Sequence, residues 1–376
     1  MLLYYLPLAI AVGACAYHLA VIIAAFRFRS ETEPAAEFAP PVSILKPLRG
    51  IEPNFHATLS NFFRQQYPQF EIIFGLSDPN DPARWTIAQL QRDFPAVPVK
   101  IVVAPVASGT NPKMGKLQRM LEEASHEVLV ISDADIAVGP EYLHNVVRPL
   151  ADARVGMVTC LYRGIPQAGL RSVLEALGMS AEFAGQVLLG RALTGMRFGL
   201  GATMATRKQQ IAEIGGLAPW SDYLADDYIL GDRIAAAGYR IHLSHSPVET
   251  LLPHRTWGEF LHQQLRWART IRACSPQGYP GLLFAYGAPL ALLPAVYHPT
   301  HLAIAVLAGA LLLRFIAAWV AGGLVCKDRL VTRYFWLIPV RDTLALVVWL
   351  LSFAGRSIIW RGARFRLESS GKIRPA

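Results

Sequence analysis

The arrangement of the whole chain follows from HEVLVISDAD, residues 126–135. The run at 128–131 is apolar and rich in β-branched side chains, which is typical of a strand buried on both faces of a parallel sheet. Asp133 and Asp135 follow it, at the strand end where open α/β sheets bind their ligands. Mg²⁺ commonly binds one or two protein carboxylates together with phosphate oxygens. The pair therefore predicts a divalent-metal site for a phosphorylated ligand, with a solvated Asp turn that caps the next helix as the alternative.

Strand and helix patterns alternate through the first part of the chain. Strand patterns lie at 42–48, 70–76, 97–103 and 128–131, and helix patterns lie between them at 54–66, at 83–93 and from the loop at 108–114 to about residue 124. This alternation predicts an α/β fold, with a mostly parallel sheet and helices on both faces. Asp78 follows the second strand and is expected at the same edge as Asp133. No glycine-rich phosphate loop follows these strands, which favours nucleotide binding without Rossmann or P-loop chemistry.

The region after residue 150 holds further candidates. Residues 155–163 form a strand pattern, and 170–189 form a helix pattern with a broad apolar face that can rest on a membrane surface. Small residues at 198–206 would let a ligand approach the backbone closely. Asp226 and Asp227 then open a helix, where capping explains one Asp about as well as catalysis does.

Four apolar segments predict membrane helices. Residues 2–26 contain no Asp, Glu, Lys or Arg over 25 positions, which is enough to cross a hydrocarbon core of about 30 Å. Arginines directly after this segment favour an anchor over a cleaved signal peptide. The other apolar segments are at 282–297, 302–325 and 335–355. An amphipathic helix at 256–271, which carries Arg and Trp residues, is predicted to lie in the interface and lead into them.

Charged residues set the predicted topology and leave one conflict. Basic residues after the first segment and at 327–333 place the central domain on the cytoplasmic side. The basic tail at 356–376 favours the same side, so the three C-terminal segments cannot all span, because an odd number would export the tail. Arg314 and the neighbours Arg341 and Asp342 lie inside apolar segments, and we expect them to sit near headgroups or to neutralise one another.

The net charge and the cysteines indicate which kinds of partner the protein binds. The formal net charge of +9 is explained by anionic headgroups and a phosphorylated ligand rather than by nucleic acid, since no nucleic-acid motif or Lys/Arg block is present. Four widely spaced cysteines predict neither a zinc site nor a disulfide framework and fit a reducing cytosol. The predicted divisions are an anchor at 1–29, a linker at 30–41, the α/β domain at 42–272, membrane segments at 273–355 and a basic tail at 356–376.

Four spaced motifs resemble the D, D, D, Q-x-x-R-W signature of membrane-bound GT-A glycosyltransferases. They are Asp78, DAD at 133–135, ADD at 225–227 and QQLRW at 263–267. The surrounding words SILKPLRG, LSDPNDP, NPK, DADI, TCLYRG, ADDY and QLRWART are similar to glycosyltransferase family 21, the ceramide glucosyltransferases and their bacterial relatives that glycosylate hopanoids. The similarity covers about 42–272 and the flanking membrane segments. It implies a GT-A-like domain between N- and C-terminal transmembrane helices.

The resemblance implies an inverting transfer of a sugar from a UDP-sugar donor to a lipid hydroxyl. Asp135 with Asp133 would hold Mg²⁺ or Mn²⁺, which neutralises the departing diphosphate. Asp227 would be the general base, and Asp226 stays open as the alternative because the doublet is ambiguous by one position. The implied substrate-binding residues are Asp78 for uridine, Lys113 for phosphate, and Gln263, Arg266 and Trp267 for donor phosphates and acceptor.

Several functions fit this pattern. The first is transfer of a hexose from UDP-glucose to a lipid such as ceramide, by a multi-pass protein of a bacterial inner membrane with a cytoplasmic catalytic domain. The second is transfer of N-acetylglucosamine to a hopanoid. A processive polysaccharide synthase shares the signature but usually needs more spanning helices than this chain offers. A membrane protein that binds nucleotide sugar or lipid without catalysis is the fourth hypothesis.

Overall fold

The computed structural model describes most of the chain. Its described residues are 2–33, 37–52, 54–104, 109–167, 169–360 and 362–376. Part of the predicted linker, the start of the loop at 108–114 and Arg361 of the basic tail lie outside them.

Helices and strands alternate in the first half and helices dominate the end. The α-helices are α1 Leu2–Ser30, α2 Phe55–Phe63, α3 Ala83–Asp93, α4 Pro112–Glu123, α5 Tyr142–Val147, α6 Leu170–Leu177, α7 Ala184–Thr194, α8 Lys208–Glu213, α9 Asp226–Ala236, α10 Trp257–Cys274, α11 Gly287–Tyr297, α12 His301–Ala318, α13 Arg329–Arg333 and α14 Ile338–Ser352. The strands are β1 Val42–Pro47, β2 Phe70–Leu76, β3 Val99–Val103, β4 Val128–Ile131, β5 Ile136–Ala137, β6 Val155–Ile165, β7 Met204–Arg207, β8 Arg240–Leu251, β9 Ser357–Trp360, β10 Ala363–Leu367 and β11 Ile373–Pro375.

The central sheet has eight strands in the order β3-β2-β1-β4-β7-β6-β8-β5. Strands β3, β2, β1 and β4 are parallel, as are β6 and β8. Strand β7 runs antiparallel to both of its neighbours, and β5 runs antiparallel to β8. The prediction of a mostly parallel α/β sheet is therefore confirmed.

Helices cover both faces of this sheet, as predicted. Alternate residues of β4 point to opposite sides: Val128 and Val130 pack in one core with α2 and α3, and Leu129 and Ile131 pack in the other with α4 and α9. The end of α1 joins the second core through Phe28. The alternation follows from the period of two in a strand, and burial on both faces explains why β4 is wholly apolar.

Several predicted boundaries need correction. Strands β2 and β4 and helix α3 lie where the sequence predicts them, but α2 ends at Phe63 and β3 begins at Val99. The predicted helix at 170–189 continues to Thr194 through a π-helical segment, Gly178–Phe183. A methyl group at Gly178 would lie 2.5 Å from Nε of Arg341, so this glycine lets the guanidinium approach the helix backbone.

Four helices among the described residues are long and apolar enough to cross a membrane. They are Tyr4–Ser30, Tyr279–Tyr297, His301–Val325 and Phe335–Ser352. Small residues let the first three pack closely: Ala11, Ala291 and Ala310 share one buried cluster. A methyl group at Gly287 would lie only 2.0 Å from Cβ of Ala14.

The charges inside the apolar segments are paired. Arg314 of α12 donates two hydrogen bonds of 2.8 Å to the carboxylate of Asp342. Arg341 lies 3.0 Å from the carboxylate of Glu182, and it donates a 3.0 Å hydrogen bond to Oε1 of Gln264 in α10. Mutual neutralisation therefore describes Arg314 and Asp342, whereas Arg341 is matched by a residue of the preceding domain.

The segment predicted as a basic tail is folded. Strands β9, β10 and β11 form an antiparallel sheet in the order β11-β10-β9. Ile358, Leu367 and Ile373 of this C-terminal sheet are buried with Leu224, which precedes α9. The sheet thus covers the region from which the third acidic motif starts.

Candidate active site

The acidic motif at 133–135 lies at the carboxyl edge of the central sheet. Asp133 and Asp135 follow β4, and buried Lys46 of the neighbouring β1 donates a 2.6 Å hydrogen bond to the carbonyl oxygen of Asp133. The carboxylate of Asp135 accepts a long 3.4 Å hydrogen bond from the hydroxyl of Thr250. Burial and the charge of Asp133 raise the pKa of Asp135 to about 6, and burial lowers the pKa of Lys46 to about 7.

Lys113 joins the acidic motif at 133–135 to the one at 225–227. Its ammonium lies 2.7 Å from the carboxylates of both Asp133 and Asp226. Asn111 caps α4 by accepting the backbone N–H of Lys113, and Pro112 occupies the first helical turn. Burial opposes the ammonium, but the two carboxylates outweigh it and raise the pKa of Lys113.

Asp227 faces the same space. Its Oδ2 accepts the backbone N–H of Gly201 at 2.7 Å, and its Oδ1 accepts the backbone N–H of Tyr228 at 2.8 Å. A methyl group at Gly201 would lie 3.0 Å from Oδ2 of Asp133 and 3.3 Å from Oδ2 of Asp227. The two carboxylates therefore face one another across Gly201. Burial and the adjacent Asp226 raise the pKa of Asp227 to about 6.

The fourth motif lies on α10, which starts with a capping box between Thr256 and Glu259. Within the motif, Oε1 of Gln263 accepts hydrogen bonds of 3.3 and 3.0 Å from the guanidinium of Arg266. Trp267 and Tyr162 of β6 both pack against a small buried cluster.

Tyr162 connects this helix to the acidic edge, and sequence reasoning missed it. Burial raises the pKa of its phenol, the charges of Asp227, Asp133 and Asp135 raise it further, and Arg266 opposes them. All four charges therefore lie within electrostatic reach of one hydroxyl. The sequence offered only its position near the end of a strand in TCLYRG as a signal.

Asp78 lies at the end of β2, two strands away from β4 on the same edge. It is exposed, and its carboxylate accepts the backbone N–H of Asn80 at 2.8 Å, which closes its own turn. The neighbouring Asp81 is buried and accepts hydrogen bonds from the backbone N–H groups of Gly50 and Ala83. Asp81 thus holds this turn in place, a role that the sequence did not single out.

The site fits a metal that uses few protein ligands. No group of three or more His, Cys, Asp and Glu side chains with metal-binding geometry occurs among the described residues. Asp133 and Asp135 supply two carboxylates, and Mg²⁺ and Mn²⁺ accept such oxygen donors together with phosphate oxygens. A cation beside Asp135 would offset the repulsion between its carboxylate and that of Asp133.

The chain matches a known protein family over nearly its whole length. The family model described as glycosyl transferase family 21 matches residues 6–373. The chain belongs to glycosyltransferase family 21. It is therefore a glycosyltransferase, and the predicted resemblance is confirmed.

Relatives with assigned activities are ceramide glucosyltransferases. Ceramide glucosyltransferase 1 of Caenorhabditis elegans is 24% identical over 362 residues, which cover 93% of this chain and 76% of the relative. Ceramide glucosyltransferase of Gibberella zeae is 29% identical over 183 residues, which cover 45% of this chain and 34% of the relative. These similarities place this family 21 enzyme among hexosyltransferases.

A solved structure supports the fold. The mannosyltransferase PcManGT from Pyrobaculum calidifontis, in complex with GDP-Man and Mn²⁺, superposes with a TM-score of 0.53. The two chains are 21% identical, and the superposition covers 92% of this chain and 99% of the other. This family 21 chain therefore has a GT-A-like fold with candidate membrane helices at both ends.

Proposed function

We propose that the protein transfers a hexose from a UDP-sugar, UDP-glucose in the first instance, to the hydroxyl of a membrane lipid such as ceramide. The observation that carries this proposal is the convergence of Asp133, Asp226 and Asp227 around Lys113 and Gly201, at the edge where α/β sheets bind ligands. The ceramide glucosyltransferase relatives support a lipid acceptor, and four candidate membrane helices would bring the site to it.

Asp135 and Asp133 would hold Mg²⁺ or Mn²⁺ on the donor side. When bound, the metal would supply Lewis-acid stabilisation of the departing diphosphate. Lys113, which already contacts Asp133, lies where it can bind the same phosphates. The mannosyltransferase of similar fold, solved with Mn²⁺, supports the use of a divalent cation. Asp78 would bind the uridine from its position two strands away.

Asp227 is the better candidate for the general base. Asp226 is buried in its ion pair with Lys113, whereas Asp227 stays partly exposed. Asp227 accepts two backbone N–H groups that fix its orientation and leave lone pairs for a hydroxyl proton. In the displacement, the oxygen of the lipid hydroxyl bonds to the anomeric carbon while the bond between that carbon and UDP breaks. The hydroxyl proton passes to Asp227. One such step inverts the configuration.

The α10 motif would bind the donor phosphates and the acceptor. Gln263 orients the guanidinium of Arg266 through its two hydrogen bonds, and a planar guanidinium matches the geometry of phosphate oxygens. Trp267 contributes an aromatic wall on the side of Tyr162. The arginines at the end of α1 support a cytoplasmic position for this domain. We further propose that the membrane is a bacterial inner membrane.

The test is incubation of the detergent-solubilised protein with a panel of UDP-sugars and defined lipids, followed by mass spectrometry. A hexose increment on ceramide with UDP-glucose is the expected result. An N-acetylhexosamine increment on a hopanoid would replace both the donor and the acceptor in the proposal. Donor hydrolysis without a glycosylated lipid, in the presence of all acceptors, would contradict it.

A further inference from the structure

The last apolar helix begins and ends against the catalytic domain. At its start, Leu337 and Ile338 are buried in one cluster with Leu174 of α6 and Phe260 of α10. After its end, the guanidinium of Arg269 donates a 2.5 Å hydrogen bond to the carbonyl of Ala354. The segment Phe335–Ser352 has 18 residues, about 27 Å of helix. A helix of that length with both ends on one domain does not cross a bilayer.

The same helix runs beside α10 in the same direction. Ile338 shares a cluster with Phe260, Arg341 donates a hydrogen bond to Gln264, and Gly355 accepts one from Arg272 at 3.0 Å. Helix α10 carries arginines at 266, 269 and 272 and cannot itself span hydrocarbon. Helix α14 therefore lies at the same depth relative to the membrane as α10.

The other three apolar helices extend to the opposite side. The hydroxyl of Tyr4, at one end of α1, lies 2.6 Å from Oγ1 of Thr300, in the turn between α11 and α12. At the other end of α1, Phe28 is buried in the catalytic core. The turn at 298–300 thus marks the far surface. The C-terminal sheet returns to the catalytic side, where the backbone N–H of Ile373 donates a 2.8 Å hydrogen bond to the carbonyl of Asp222.

The exposed face of α14 is suited to lipid. Its buried face carries the polar residues Arg341, Asp342 and Ser352. Among its exposed side chains, Val340, Val347, Leu350 and Leu351 are apolar and about half exposed, between 47% and 56%. The exposed hydroxyl of Thr343 donates a 2.8 Å hydrogen bond to the carbonyl of Pro339, so it too has a partner within the helix. A helix with its polar face towards protein and its apolar face outward fits acyl chains rather than water.

We infer that, within the described residues, the chain crosses the bilayer three times, through α1, Tyr279–Tyr297 and α12, and that α14 lies in the leaflet next to the catalytic domain. Its exposed face is a docking surface for the acyl chains of that leaflet. The number of crossings after the catalytic domain is then even. This removes the conflict over the tail, because residues 356–376 stay on the catalytic side.

Single-cysteine labelling tests the topology. In a background without the four native cysteines, sealed cells and permeabilised cells are compared with a membrane-impermeant maleimide. We expect Asp93→Cys on α3 and Ser369→Cys in the C-terminal sheet to label from one side, and Pro299→Cys from the other. Labelling of Ser369→Cys from the side of Pro299→Cys would overturn the inference. If the cysteine-free chain is unstable, protease sensitivity of a C-terminal epitope in sealed vesicles gives the same answer.

Nitroxide depth measurements test the position of α14. Labels at Val340, Val347 and Leu351 are expected in one leaflet, without a maximum of oxygen exposure at the middle position. Labels on α12 at Leu302, Ala305 and Leu312 form the control, because a crossing helix gives a graded depth. A maximum at Val347, with Val340 and Leu351 in opposite leaflets, would contradict the proposal. Neither measurement depends on activity, so the result is independent of the proposed reaction.

Discussion

Buried charges are treated in opposite ways in the membrane region and at the sheet edge. In the membrane region, Arg314 and Asp342 match one another in a closed, two-bond pair. At the sheet edge, the four carboxylates of two acidic motifs surround two ammonium groups, those of Lys46 and Lys113. A matched pair is complete without a ligand. An excess of buried carboxylates favours a further cation, which a bound metal would provide.

The largest expected effect comes from Asp227, where the unmatched charge would perform chemistry. Asp227→Asn keeps an oxygen for the Gly201 N–H but cannot take a proton, so we expect kcat to fall about 10²- to 10⁴-fold. UDP binding, measured by titration calorimetry, should stay unchanged. Asp232→Asn on the same helix is the matched control, because its partner Arg197 lies on the surface 3.4 Å away. Near-normal turnover by Asp227→Asn would refute the base assignment.

Removing a carboxylate of the proposed metal site should have the next largest effect. For Asp135→Ala we expect the affinity for UDP in the presence of Mn²⁺ to fall by at least about 100-fold. Mutation of a residue that only orients a metal ligand already lowers metal affinity by about 10- to 100-fold. Titration calorimetry with UDP, with and without Mn²⁺, measures it. Asp93→Ala, an exposed residue of α3, serves as the control. An undiminished Mn²⁺-dependent heat in Asp135→Ala would show that the metal binds elsewhere.

The matched pair in the membrane region should affect stability and not chemistry. Asp342→Leu leaves Arg314 buried without a counter-charge, and we expect it to cost about 3–5 kcal/mol of unfolding free energy. The double variant Arg314→Met, Asp342→Leu should recover most of that loss. Breaking the surface pair of Arg197 and Asp232 should cost at most about 1 kcal/mol. Denaturation in detergent measures all three, and an unchanged midpoint for Asp342→Leu would show that the pair is dispensable.

The local sequence pattern was sufficient to predict where the acidic motif at 133–135 lies in the fold. The β-branched run of β4 identifies a doubly covered strand, and the position of Asp133 and Asp135 follows from where parallel strands end. Lys46 could not be predicted in the same way. A lysine in a strand is usually solvated, and this one is buried only because the sheet is covered on both faces.

Contacts between residues far apart in the chain could not be predicted from the sequence. Lys113 and Asp226 are 113 positions apart, and their ion pair forms because the start of α9 approaches the start of α4 in the folded chain. No local pattern encodes that approach. The same holds for α14, whose composition fits a spanning helix. Its contacts with α10 and α6, more than 70 positions earlier, distinguish it from one.

The smallest predicted effect tests the electrostatic excess directly. Burial and the charge of Asp226 raise the pKa of Asp227 to about 6, while Lys113 lowers it. The carboxyl is therefore protonated and inactive below about pH 6, and kcat should fall about tenfold per pH unit there and be constant above. Asp226→Asn removes the like charge beside Asp227 and also one of the two carboxylates that neutralise Lys113, and both changes lower the pKa of Asp227. Its residual activity should keep the acidic limb but shift it to lower pH, and a limb that moved to higher pH would show that Asp226 does not oppose the charge of Asp227.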